Sequence, residues 1–125
     1  VPPAPEEDPF TRVQNITWED RRDELLITIH LDGAVEEWDY AHARLEAPPR
    51  ELIRIRGVRE RFPRSTIPVA AGFVQRVRTG FHPKGRSTRD EDELHVVLDL
   101  EDPAVFLERS EAGNREIRLY LTREQ

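Results

Sequence analysis

The chain has 125 residues, no cysteine and a formal net charge of −6. That length fits one domain with a sizeable core, and the lack of cysteine excludes disulfides and thiolate metal sites. No run of about 18 apolar residues offers a membrane span, and the acidic balance argues against a nucleic-acid partner, whose usual footprint is a basic surplus.

Residues 1–10 read as a linker. Pro2, Pro3 and Pro5 alternate with little that can be buried, and Glu6, Glu7 and Asp8 follow. The chain starts at Val1 and contains no methionine, as expected for a segment of a longer or processed protein. A folded domain is expected over residues 11–123.

Val13 to Trp18 predicts a short strand. Glu24 to Leu31 alternates with period two: Leu25, Ile27, Ile29 and Leu31 point one way, Thr28 and His30 the other. Asp32-Gly33 supplies turn chemistry. Glu36 to Leu45 reads as a strand with Trp38 partly in the core, and Ala47-Pro48-Pro49 breaks it. Glu51 to Gly57 sets Ile53 and Ile55 against Leu52, Arg54 and Arg56. Val58 to Ala71 is an irregular bridge with room for one short helix before Ser65.

Phe73 to Phe81 predicts a strand in which Phe73 and Val77 alternate with Val74, Arg76 and Arg78. A polar loop from His82 to Asp92 follows, holding Ser87 and the acidic run Asp90-Glu91-Asp92-Glu93. Leu94, Val96, Leu98 and Leu100 form another inward row. Val105 to Glu108 is a short strand, Ala112-Gly113-Asn114 a turn, and Ile117, Leu119 and Leu121 the last inward row, which leaves Arg118 and Tyr120 outside. About eight short strands and no 3.6-residue period predict an all-β sandwich or barrel.

Three segments recur in order. Val13-Gln14-Asn15-Ile16 returns as Val74-Gln75-Arg76-Val77. Glu24 to Leu31 returns as Glu93 to Leu100, and Ile53-Arg54-Ile55 as Ile117-Arg118-Leu119. The order implies an internal duplication and a β-sandwich of two small pseudo-symmetric sheets.

Lys84 is the only lysine among 19 basic residues. Arginine holds carboxylates and phosphates by two-point contact. Arg54 and Arg56 share one strand face, as do Arg76 and Arg78, and the repeat matches Arg118 to Arg54. All stand opposite core rows and are expected to face solvent. Phe81 and Tyr120 are candidate aromatic platforms beside them.

Nothing nominates a catalytic centre. Ser65, Ser87 and Ser110 lie outside any Gly-x-Ser-x-Gly elbow. His30, His42, His82 and His95 lack the i, i+4 spacing of a zinc helix. The acidic run lacks the alternation and central glycine of a calcium loop. The expectation is a non-enzymatic protein with no cofactor and no metal.

The stretch from about Thr11 to Thr122 resembles the AMIN domain, a non-catalytic module of periplasmic N-acetylmuramoyl-L-alanine amidases, type IV pilus secretins and other bacterial envelope proteins. The likeness lies in Ile16-Thr17-Trp18, in Pro48-Pro49-Arg50-Glu51-Leu52-Ile53-Arg54-Ile55-Arg56-Gly57-Val58, in Val74-Gln75-Arg76-Val77-Arg78-Thr79-Gly80-Phe81-His82, and in Leu94-His95-Val96-Val97-Leu98-Asp99-Leu100. The resemblance implies a periplasmic cell-wall targeting module that binds peptidoglycan and localises a larger envelope protein, monomeric as an isolated domain. Arg54, Arg56, Arg76, Arg78, Phe81, Arg118 and Tyr120 are then the candidate peptidoglycan-binding residues. The alternative is a protein–protein interaction module in a secretin, pilus or other envelope assembly, using an exposed sheet edge.

Overall fold

The computed structural model describes residues 9–85 and 91–124. The first eight residues of the expected linker, Ser87 and Asp90 lie outside them. Nine strands are present among the described residues: β1 Val13–Arg21, β2 Glu24–Leu31, β3 Tyr40–Leu45, β4 Arg50–Arg56, β5 Thr66–Pro68, β6 Val74–His82, β7 Glu93–Leu100, β8 Val105–Gly113 and β9 Glu116–Arg123. They form two antiparallel sheets. Sheet I has the order β1-β2-β9-β8, and sheet II the order β3-β4-β7-β6-β5.

The fold is an all-β sandwich. Its core is made from the inward rows of the four central strands. Leu25, Ile27 and Ile29 of β2 and Ile117, Leu119 and Leu121 of β9 are fully buried, as are Ile53 and Ile55 of β4 and Leu94, Val96 and Leu98 of β7. Each such side chain contributes about 1.5–3 kcal/mol relative to exposure. Branched and aliphatic residues at every second position dictate this arrangement, since only a sheet puts them all on one side.

The duplication appears as an exchange of hairpins. The first repeat supplies β1 to β4, the second β6 to β9. Sheet I joins the β1–β2 hairpin to β9–β8, and sheet II joins β6–β7 to β4–β3. The two leading hairpins match in register: Ile16 pairs with Ile29, and Val77 with Leu98. Both also carry a bulge at the same place, between Val13 and Asn15 and between Val74 and Arg76.

Five expectations need correction. The bulge at Gln75 breaks the alternation, so Val74 turns inward with Val77 instead of outward with Arg76. The central pairing is displaced by two residues from the sequence match. Leu119 pairs with Ile27, while Ile53 pairs with Val96, so Arg118 corresponds to Leu52 and Tyr120 to Arg54. The last strand pair is also longer than expected. Ala112 and Gly113 belong to β8, and the turn is made by Asn114 and Arg115, both at positive φ (53° and 69°), the requirement of a tight type I′ hairpin. The bridge from Val58 to Ser65 contains no helix, and the segment expected to open as a strand at Glu36 begins with a 3-10 turn, Glu37–Asp39.

Pro9 bridges Ala34, and Phe10 is buried against the core, so the sandwich takes in both residues. At the other side, the edge strands β3 and β8 are tied across the two sheets. Glu51, only 2% exposed, accepts from Arg44 Nη1 at 3.1 Å and from the Leu107 amide at 2.9 Å, and its other oxygen meets His42 Nε2 at 2.6 Å. Arg44 donates onward to the carbonyls of Val105 and Pro103 at 2.7 and 3.1 Å. The Tyr40 hydroxyl donates to Ser110 Oγ at 2.9 Å. Buried charges cost stability unless paired, and this cluster pairs them while covering part of the open edge of β8.

Glu51→Ala removes an acceptor from Arg44, His42 and the Leu107 amide together. Urea unfolding of that variant is expected to show a loss of about 2–4 kcal/mol, with Glu51→Gln losing about half as much because an acceptor remains. A loss below about 0.5 kcal/mol in Glu51→Ala counts against the inter-sheet tie.

Candidate functional site on the outer face of sheet II

The outward positions of β4 are Arg50, Leu52, Arg54 and Arg56; those of β6 include Arg76, Arg78 and His82. Between them β7 presents Glu93, His95, Val97 and Asp99. Register stacks these into cross-strand rows: Arg56 beside Glu93 beside His82, Arg54 beside His95, Leu52 beside Val97 beside Arg78, and Arg50 beside Asp99 beside Arg76. Four sequence-nominated arginines from two repeats therefore share one surface, because the hairpin exchange places β4 and β6 on either side of β7.

The two carboxylates lie beneath the guanidinium groups. Glu93 and Asp99 side chains are 6% and 8% exposed, whereas those of Arg54, Arg76 and Arg78 are 46%, 51% and 44% exposed. Arg54 grips Glu93 by two bonds of 3.2 and 3.3 Å, and His95 Nε2 approaches the same carboxylate at 3.0 Å. Asp99 accepts Arg76 Nε at 2.8 Å and Arg78 Nε and Nη2 at 2.7 and 2.8 Å. These contacts anchor each guanidinium by one edge and leave the rest turned to solvent.

Five arginines stand over two carboxylates at the outward positions of β4, β6 and β7, an excess of three positive charges in a chain whose total is −6. Leu52 and Val97 form an apolar strip through the middle of this face. His82 and His95 stack with ring centroids 3.8 Å apart. At the Asp99 end, a cavity of about 300 Å³ is walled by Pro48, Pro49 and Pro103 and edged by Gln75, Arg76 and Asp102.

Trp38 stands at the opposite rim. It lies on the 3-10 turn leading into β3 and is 71% exposed, not partly in the core. Arg56 donates to its backbone carbonyl, which fixes the turn against the cationic face. The sequence hid this because Trp38 precedes the alternating part of β3. Arg50 also joins the surface without having been nominated. Glu93 and Asp99 were legible in principle: positions 93, 95, 97 and 99 share a face.

Three nominated residues lie elsewhere. Phe81 pairs with Leu94 and packs against the core, so it is no surface platform. Arg118 and Tyr120 lie on the outer face of sheet I. Tyr120 is buried beneath the Arg109 guanidinium, 3.8 Å from the ring centre, and its hydroxyl donates to Glu111. Arg118 is paired with Glu111 at 3.0 Å. That face sets Arg21, Arg109 and Arg118 against Glu19, Glu24, Glu111 and Glu116, so its charges largely cancel. Among the described residues, no three His, Asp or Glu side chains gather as a metal site.

Burial alone pushes the Glu93 carboxyl up; hydrogen bonds from Arg54 and His95, and then their charge, overcome it and hold the group down at about 2. Asp99 is treated alike: burial opposes ionisation, and Arg78 and then Arg76 hold it below the usual range. Its bonds in turn raise the pKa of Arg78.

No family model matches the chain, and no curated protein or solved structure matches it either.

A depressed carboxylate contributes stability above its unfolded pKa and loses it as pH falls through the folded value. For Glu93 that contribution is full above about pH 4.5 and disappears toward pH 2. Between pH 5 and pH 2.5 the native protein is expected to lose roughly 2 kcal/mol more than Glu93→Gln. Parallel urea titrations at pH 5 and pH 2.5 measure the difference; equal losses contradict the assigned pairing.

Proposed function

We propose that this chain is a non-catalytic cell-wall targeting module that binds peptidoglycan through the outer face of sheet II and localises a larger protein in the bacterial periplasm. The observation that carries the reading is the excess of guanidinium groups on one face, bordered by an exposed tryptophan. Peptidoglycan offers both complements: stem-peptide carboxylates for the arginines and pyranose rings for an indole.

The geometry supports a division of labour. Arg54 and Arg78 are committed to Glu93 and Asp99 and serve mainly as the platform. Arg50, Arg56 and Arg76 supply the uncompensated charge. Arg76 shares an Asp99 that Arg78 already holds at two points, and among the described residues Arg50 and Arg56 bond backbone carbonyls. The apolar strip of Leu52 and Val97 suits the faces of sugars or short side chains laid across the strands.

Exposed charge pairs contribute about 0–1 kcal/mol each. A single contact with the polymer is therefore weak, and retention on the wall depends on many repeated sites. Weak, multiple contact suits a targeting role, since it holds the attached protein near the polymer while allowing it to move.

The triple variant Arg50→Gln, Arg56→Gln, Arg76→Gln removes the excess charge and keeps the Arg54–Glu93 and Arg78–Asp99 pairs. With isolated sacculi at low salt, native protein is expected to co-sediment. The triple variant is expected to bind roughly tenfold or more weakly, and Trp38→Ala several-fold more weakly, both with native unfolding midpoints. Native protein left in the supernatant, or equal retention of the triple variant, overturns the assignment.

A further inference from the structure

The duplication leaves β1 without the cover that its counterpart β6 has. β1 and β6 correspond through their bulges, Gln14 to Gln75 and Ile16 to Val77. β6 is covered on its outer edge by β5, where Ile67 pairs with Val77. Beyond that pair, the Gln75 carbonyl accepts the amides of Val69 and Ala70 at 3.0 and 3.1 Å. Ile67 and Val69 are both buried. Among the described residues, no strand lies on the outer edge of β1. Beside its bulge is an open cavity of about 280 Å³, with Val13 and Pro63 as its apolar lining and Arg12, Gln14 and Glu60 as its polar lining.

Among the described residues nothing covers this edge, and the sequence at the equivalent offset does not match β5. The offset from Val13 to Val74, 61 residues, places Glu6 and Asp8 where the second repeat has Ile67 and Val69. Carboxylates cannot take the buried places that Ile67 and Val69 hold beside β6. The polypeptide entering β1 instead bridges Ala34 at Pro9 and buries Phe10 against Gly57. A second copy also fits poorly. Antiparallel pairing of two β1 strands about Thr17 brings Glu19, Asp20 or Arg21 to the Gln14 bulge.

We propose that the outer edge of β1 accepts an extended segment of a partner protein carrying branched apolar residues two positions apart, as β6 accepts β5. The partner's backbone completes the ladder beside Trp18 and beside Ile16, where it displaces the Asn15 Oδ1 that the Ile16 amide meets at 2.9 Å, and its alternate side chains pack on Val13 and Pro63 at the cavity beside Gln14. Sheet edges recruit strands in this way, with backbone bonds giving affinity and pockets giving selectivity. The edge lies on sheet I, so strand capture and use of the sheet II face are compatible.

The chain's own β5 segment is a ready probe. A synthetic peptide of residues 64–71 is titrated to about millimolar concentration into the 15N-labelled full chain. It is also tethered through a flexible linker ahead of Val1, which supplies a comparable effective concentration. The expected result is a set of shift changes and slowed amide exchange centred on Gln14, Ile16 and Trp18. A peptide with Ile67→Asp and Val69→Asp is expected to bind at least tenfold more weakly. The proposal is overturned if neither form perturbs β1, if the changes fall on β6, or if the aspartate peptide binds equally well. Protection of β1 that rises with protein concentration in the absence of peptide names a second copy as the occupant, and overturns it too.

Discussion

The constraint on which everything else rests is that neither repeat can complete a sheet alone. Each supplies two hairpins whose apolar rows need covering, and each sheet is closed by pairing a leading hairpin of one repeat with a trailing hairpin of the other. The β2–β9 and β4–β7 pairings are the joints. Their inward residues are buried. A fold joined in this way has its most distant sequence segments at its centre, so the two halves are not independent units. Loop closure makes such a topology slow to form, yet the finished core is continuous.

The same exchange creates the surface. β4 carries arginines because of what the first repeat encodes, and β6 because of what the second encodes. Only the insertion of β7 between them puts both sets on one face. β7 then contributes the two carboxylates that make the assembly tolerable. Five guanidinium groups gathered on one sheet face repel one another. Glu93 and Asp99, held ionised by those arginines, offset part of that repulsion from below and fix the geometry. What remains exposed is cationic and ordered. Sheet I, built to the same plan, spends its arginines on neighbouring glutamates and on the Tyr120 ring, and has no comparable excess.

Much of this was legible in the residues. Period-two alternation located the strands, and the ordered recurrence of three segments indicated a paired-sheet fold. The outward orientation of Arg54, Arg56, Arg76 and Arg78 followed from their alternation with Ile53, Ile55 and Val77. What alternation cannot convey is a bulge, which is why Val74 was placed on the wrong side. Nor can it convey register between strands far apart in sequence. The match of Arg118 to Arg54 relied on like residues, and the two-residue displacement gives Tyr120 and Arg54 equivalent places with opposite fates. Tyr120 is stacked under a guanidinium; Arg54 is wet. Trp38 shows the reverse error: an aromatic assigned partly to the core by composition is held outside by the short turn that carries it.

The proposed role places contact with the cell wall on the arginine face of sheet II, rimmed by Trp38. The most direct measurement is an NMR titration of the 15N-labelled chain with soluble, uncrosslinked muropeptides. The account predicts shift changes on the Arg50, Arg56 and Arg76 side chains, on the amides of β4, β6 and β7, and on the Trp38 indole, weakening as salt rises. Changes confined to the outer face of sheet I, or none at millimolar muropeptide, contradict it.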